Sequence, residues 1–103
     1  MFVAKVTGSC VATTKTASMV GYKLLIVEPY RVAGEKRDAL VTTGRTFVAV
    51  DTLGAGEGEY VLIAQGSSAR MTPETEKLPV DTVVIGIIDT VQIDEKCVYS
   101  REE

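Results

Sequence analysis

D-T-L-G-A-G-E-G-E-Y-V-L-I-A-Q-G-S-S-A-R, residues 51–70, decides how the rest of the chain is read. Gly54, Gly56 and Gly58 stand at alternate positions between two apolar runs, 47–50 and 60–64. Glycine reaches positive φ without a Cβ clash, so this stretch folds back sharply or admits a close backbone. Alternating glycines before a helix would suggest a phosphate cradle. Here a strand-like run follows, with neither G-K-[ST] nor dinucleotide spacing, so the expectation is a tight connection between two strands. Gly66, Ser67, Ser68, Ala69 and Arg70 then read as a strand end followed by one capped turn.

The chain of 103 residues suits one domain with its own core and is too short for two. Hydrophobic residues at 46% beside 24% charged argue for a folded protein rather than a disordered one. A net charge of −3 leaves no basic footprint for nucleic acid or an anionic membrane. No apolar run approaches the ~20 residues that span a bilayer. The alternation begins at Phe2 with no secretory signal before it, and the expectation is a cytoplasmic protein. There is no histidine, which removes the commonest metal ligand and the usual proton-transfer side chain. Cys10 and Cys97 form no C-x-x-C motif, and neither a cofactor nor a metal is expected. Cys10 reads as a small core residue, and a reducing compartment favours two thiols over a disulfide.

From residue 2 the even positions are Phe2, Ala4, Val6, Gly8, Cys10 and Ala12, against Lys5, Thr7, Ser9 and Thr13 on the other parity. That alternation predicts a strand over 2–13 with one buried face, bent or bulged at Gly8. A polar connection over 14–21 follows, with Lys15 and Ser18 solvated and Gly21 closing the turn. A second strand over 22–27 is expected to stop at Glu28 and Pro29, because proline donates nothing to a ladder. Residues 30–45 read as a long exposed loop. Strands are expected over 47–52 and 59–65, a polar loop over 71–79 with Pro73 and Pro79, and a last long strand over 82–93. The segment 94–103 reads as a charged tail in which Cys97, Val98 and Tyr99 dock as an edge strand, leaving one barrel domain over 1–93.

No segment shows a sustained 3.6-residue period. Five strands with turn signals between them predict an all-β, five-stranded barrel of OB or Greek-key type. Leu24, Leu25, Ile26 and Val27 are apolar on both parities, as is the run 83–88 apart from Gly86. A barrel strand has an inner and an outer face, so these strands call for cover. A partner copy is the economical source, and a cyclic homo-oligomer the expectation; loops of the same chain are the alternative. Asp51, Asp81 and Asp89 read as turn caps or partners of Arg70 rather than as an acid-base pair.

T-G-S-C-V-A-T-T-K, G-Y-K-L-L-I-V-E, V-A-V-D-T-L-G-A-G-E-G-E-Y-V-L-I-A-Q-G-S-S-A-R and P-V-D-T-V-V-I-G-I-I-D, in that order, resemble the vertex-protein family of bacterial microcompartment shells, the EutN/CcmL family. The resemblance runs from Met1 to about Ile93. It implies a compact barrel that assembles into a pentamer at the corners of a shell tiled by hexameric proteins, with no catalytic site. Asp51, Thr52, Gly54, Ala55, Gly56, Gly58 and Glu59, then Gly66, Ser67, Ser68, Ala69 and Arg70, would serve fold and subunit contact. Glu57 and Glu59 would line a central opening and favour cations or neutral metabolites over anions; the alternative is that both face bulk solvent. Two readings from other classes compete. An OB-type nucleic-acid module would want basic and aromatic residues along a groove, where aromatics are only 6%. A small enzyme would have to use Asp51, Asp81 or Cys97 without histidine.

Overall fold

Eight strands account for most of the residues that the computed structural model describes, which are 1–12, 16–19, 21–32, 39–76 and 80–101. They are β1 (Phe2–Cys10), β2 (Lys23–Val32), β3 (Leu40–Thr42), β4 (Phe47–Asp51), β5 (Tyr60–Gln65), β6 (Thr82–Ile87), β7 (Thr90–Ile93) and β8 (Lys96–Ser100). Two 3-10 turns, Ala17–Met19 and Gly66–Arg70, are the only helical segments among these residues. The expected positions Lys15 and Pro79, and most of the loop after β2, lie outside the described residues.

The large sheet runs β1-β5-β6-β4-β2-β3, and β1 pairs again with β2. That second pairing closes β1, β5, β6, β4 and β2 into a five-stranded barrel. The pairs are antiparallel except β4–β6, which is parallel and short, joining Val50 to Val83 and Asp51 to Val84. The β1–β2 register slips between Val6 and Gly8, at the glycine where a bulge is expected.

A five-stranded barrel has a narrow interior, and small side chains fill it. Ala4, Val6, Leu25, Val27, Ala49, Ala55, Val61, Ile63 and Val84 form this core. Their strand neighbours of opposite parity face outward. Val50, Ala64, Ala69 and Val83 make a second buried cluster there, with Met19, Tyr22, Leu24, Val80 and Ile85 packed against it. The two-parity apolar strands are therefore covered in part by the chain's own 3-10 turns. Val11, Val48, Leu53 and Met71 remain exposed.

Three expectations are corrected. β2 does not stop at Glu28 but runs through a buried Pro29 to Val32. Pro29 stays opposite Ala4 of β1, and on its other edge it falls between the pairs Val27↔Phe47 and Tyr30↔Thr42, where β2 passes from β4 to β3. Its carbonyl accepts from the Thr43 backbone N–H at 3.1 Å. Residues 30–45 are not one irregular loop, since Tyr30–Val32 pairs with β3. The strand expected over 82–93 breaks after Ile87. Ile88 N–H still reaches Tyr60 O at 2.9 Å, but Thr90–Ile93 leaves the barrel to pair with β8. The β7–β8 turn places Asp94 at φ 49° and Glu95 at φ 67°, the primed geometry that matches strand twist.

Candidate functional site

Between β4 and β5 the glycine stretch forms a loop that is braced from inside. Asp51, whose side chain has 0% exposure, points its carboxylate under the loop. Oδ1 accepts from the N–H groups of Leu53 (2.9 Å) and Gly54 (3.3 Å), and Oδ2 from that of Ala55 (2.8 Å). The Lys23 ammonium donates to Ala55 O at 2.7 Å and lies 3.9 Å from Asp51 Oδ2. Ala55 is fully buried and fills the end of the barrel core. Gly54 and Gly58 both take φ of 87°, which lets the chain turn under Asp51 and then rejoin β1. The Gly58 N–H bonds Val6 O at 2.8 Å, and the Val6 N–H bonds Glu59 O at 2.9 Å.

The loop's carboxylates divide. Glu59 is turned inward: Oε1 accepts the Gly56 N–H at 2.7 Å, and Oε2 lies 2.8 Å from Arg101 Nε. The Arg101 contact is ionic rather than an aligned hydrogen bond, and Oε2 has no other partner. Glu57, like Thr52 and Leu53, is exposed. Arg101→Ala leaves Glu59 Oε2 without its counter-charge and is expected to cost about 1 kcal/mol. The same change should speed amide exchange at the root of β8 in a hydrogen-exchange measurement.

The second cluster, residues 66–70, is the 3-10 turn after β5. Ala69 packs into the outer hydrophobic cluster, while Ser67, Ser68 and Arg70 are exposed. Gly66 N–H bonds Asp81 O at 2.7 Å, tying the turn to the start of β6. Buried Thr75 donates to Ala69 O at 2.6 Å from the loop beyond. Arg70 does not pair with a carboxylate among the described residues. Its guanidinium donates to Val80 O at 3.0 Å, because the turn directs it along the chain entering β6. Among the described residues the arginine that carries carboxylates is Arg101, which also lies 3.6 Å from Asp89. Among the described residues the Asp81 carboxylate accepts from the neighbouring Thr82 hydroxyl, at 3.3 Å. The Cys97 thiol lies 3.2 Å from Tyr99 O, remote in sequence from Asp51 and with no base beside it in the described residues.

Lys23 and Arg101 escape a reading by pattern, since each is a single cation at a strand end whose partner is fixed only by closure of the barrel. The same holds for the tyrosines. Tyr60 stacks against Tyr99 at 4.3 Å and edge-on to Tyr30 at 5.2 Å, joining β5, β8 and β2. Burial, followed by the two neighbouring phenols, pushes Tyr60 above the ordinary tyrosine value of 10.0. A raised folded value means that the stability it contributes is intact below pH 10 and is lost as pH rises through the folded value. A spectroscopic titration should show a late-ionising phenol that Tyr60→Phe removes, together with a flatter stability profile in alkali.

A family profile described as ethanolamine utilisation protein EutN/carboxysome matches residues 1–89. The carboxysome shell vertex protein CcmL of Gloeobacter violaceus is 42% identical over 103 residues, which are 100% of this chain and 97% of that protein. The microcompartment shell vertex protein EutN of Salmonella typhimurium is 41% identical over 101 residues, 98% of this chain and 96% of its own length. The solved structure of the Gloeobacter CcmL superposes with a TM-score of 0.87, covering 100% of both chains. The structure of GrpN from Rhodospirillum rubrum, described as a pentameric microcompartment shell protein, gives 0.71 at 43% identity. It covers 90% of this chain and 98% of GrpN.

Proposed function

The chain belongs to the EutN/CcmL family of shell vertex proteins, and on that premise we propose that five copies form a ring closing a vertex of a polyhedral microcompartment shell in the bacterial cytoplasm. The role is structural and not enzymatic. The observation that carries it is the full-length likeness, in sequence and in backbone, to the Gloeobacter vertex protein. A flat sheet of hexameric tiles cannot close on itself, and a fivefold unit supplies the missing curvature.

In this reading the two motif clusters shape the subunit contact. Asp51, Ala55, Gly56 and Glu59 hold the glycine loop from behind, while Thr52, Gly54 and Gly58 present it. Gly66 and Ala69 anchor the 3-10 turn that carries Ser67, Ser68 and Arg70. Exposed Leu53 borders a groove of about 310 Å³ with Thr72, Pro73 and Val83, where β4 and β6 pair only briefly. Glu57 would line a central opening, with Glu59 behind it, and disfavour anions there.

A Cβ built at Gly56 meets nothing nearer than Glu59 Oε1 at 3.5 Å, and Gly56 needs no positive φ. Gly56→Ala should therefore change the stability of the dissociated chain by less than about 1 kcal/mol, the Gly-to-Ala backbone effect. If the loop meets a neighbour, the same change weakens ring assembly in sedimentation; equal assembly contradicts that placement. The shell role itself is tested by co-expression with hexameric shell proteins. Closed polyhedra should require this chain, and shells that close equally well without it refute the assignment. No observation favours the nucleic-acid reading: the charge is acidic, and Phe2, Phe47, Tyr30, Tyr60 and Tyr99 pack against one another.

A further inference from the structure

The β7–β8 hairpin stands apart from the barrel in its packing. Register places Val91 opposite Tyr99 and Ile93 opposite Lys96 on one face, and Thr90 opposite Ser100 and Gln92 opposite Cys97 on the other. The first face carries half-buried Val91, Ile93 and Tyr99 beside the exposed Lys96, and the second is polar. At the root the apolar face is held by Tyr99 on Tyr60, and Arg101 N–H bonds Asp89 O at 2.8 Å. Beyond the root the hairpin pairs with no barrel strand and forms a two-stranded sheet of its own. A two-stranded hairpin alone is marginal in water, so an apolar face carried past the barrel calls for something to rest on.

Two observations say what that is. The hairpin turn is acidic, with Asp94 and Glu95 exposed. The β2–β3 hairpin is basic on its described residues: Arg31 is exposed on β2, and Arg45 follows β3 with its guanidinium 5.1 Å over the Phe47 ring. Among the described residues neither arginine has a carboxylate within ion-pair distance. Both hairpins rise from the end of the barrel marked by Tyr30, Tyr60 and Tyr99. In a closed ring of identical copies, one patch of each subunit meets a different patch of its neighbour.

We propose that the β7–β8 hairpin is an arm that docks on the adjacent copy of this chain, its Asp94 and Glu95 turn set against the neighbour's Arg31 and Arg45. The inference rests on the ring reading above. The arm is an accessory to the ring and not its basis. Pentameric GrpN is matched over 98% of its own length yet covers 90% of this chain, and the family match ends at residue 89, just before β7. In this reading ring closure comes from the barrel, and the arm tightens it by a contact that salt weakens.

The test is a dilution series of the full chain followed by native mass spectrometry at low ionic strength. It compares the unaltered protein, D94K/E95K, R31E/R45E and the fourfold combination. Each charge-reversed pair should raise the concentration of half-dissociation about three- to tenfold, and the combination should return it to within about twofold of the unaltered chain. D94N/E95Q, which removes charge without reversing it, should fall between. Pair variants that dissociate like the unaltered ring, or a combination worse than either pair, overturn the arm. So do variants with unaltered rings that fail to co-assemble with hexameric tiles, since the arm would then serve another partner. An unaltered chain that runs as a single copy at every concentration overturns the ring reading instead.

Discussion

Asp51→Ala is expected to lower the stability of the chain by about 3 kcal/mol, a large share of the 5–15 kcal/mol typical of a domain. One carboxylate serves three backbone donors, and the Ala55 N–H that it accepts belongs to a fully buried residue in the end of the barrel core. Water can reach the donors of exposed Leu53 and Gly54, so their loss costs less than that of Ala55. Lys23 also loses its counter-charge, although its own bond to Ala55 O remains possible only while the loop keeps its shape. Asp51→Asn retains one acceptor oxygen and turns an amide donor on the others, so it should lie between. Urea unfolding measures the change, and hydrogen exchange at Ala55 locates it. A loss below about 0.5 kcal/mol would mean that the glycine loop is held by something other than this carboxylate.

Ile63→Ala comes next, with an expected loss of about 2–5 kcal/mol. Ile63 has 0% exposure and lies among Ala4, Val27, Val61 and Val84, where the small neighbours have no length with which to fill a cavity. Thermal unfolding should fall by about 4–8 °C per kcal/mol for a domain of this size. Val48 gives the contrast, being 50% exposed on β4. Val48→Ala should cost the dissociated chain less than about 1 kcal/mol. Equal effects at the two sites would deny that the barrel interior is the main core.

Period-two patterns were readable wherever one face of a strand is buried and the other solvated. In β1 the even positions lead to Ala4 and Val6 inside, and Gly8 falls at the register slip. The two-parity strands were also readable as needing cover on both faces. Which residues would supply it was not, because Met19, Tyr22, Ala69 and Val80 are brought together only when the barrel closes. Pro29 misled for a related reason: the rule against proline in a ladder holds per hydrogen bond, and here β2 changes partner at that residue. The break after Ile87 carries no glycine or proline of its own, so the separate β7–β8 hairpin is invisible to a local reading. At the glycine loop, residue types announced a turn and Asp51 its cap. The inward turn of Glu59 depends on Arg101, 42 positions away, and no spacing rule connects them.

The barrel packs its interior and part of its exterior by itself, then leaves Val48, Leu53 and Met71 to solvent in the single chain. A ring of copies would cover such surface without new machinery. Native mass spectrometry of the unaltered protein at micromolar concentration asks this most directly. The account predicts a dominant species of five times the 11.0 kDa chain mass. A spectrum containing only folded 11.0 kDa chains would contradict it.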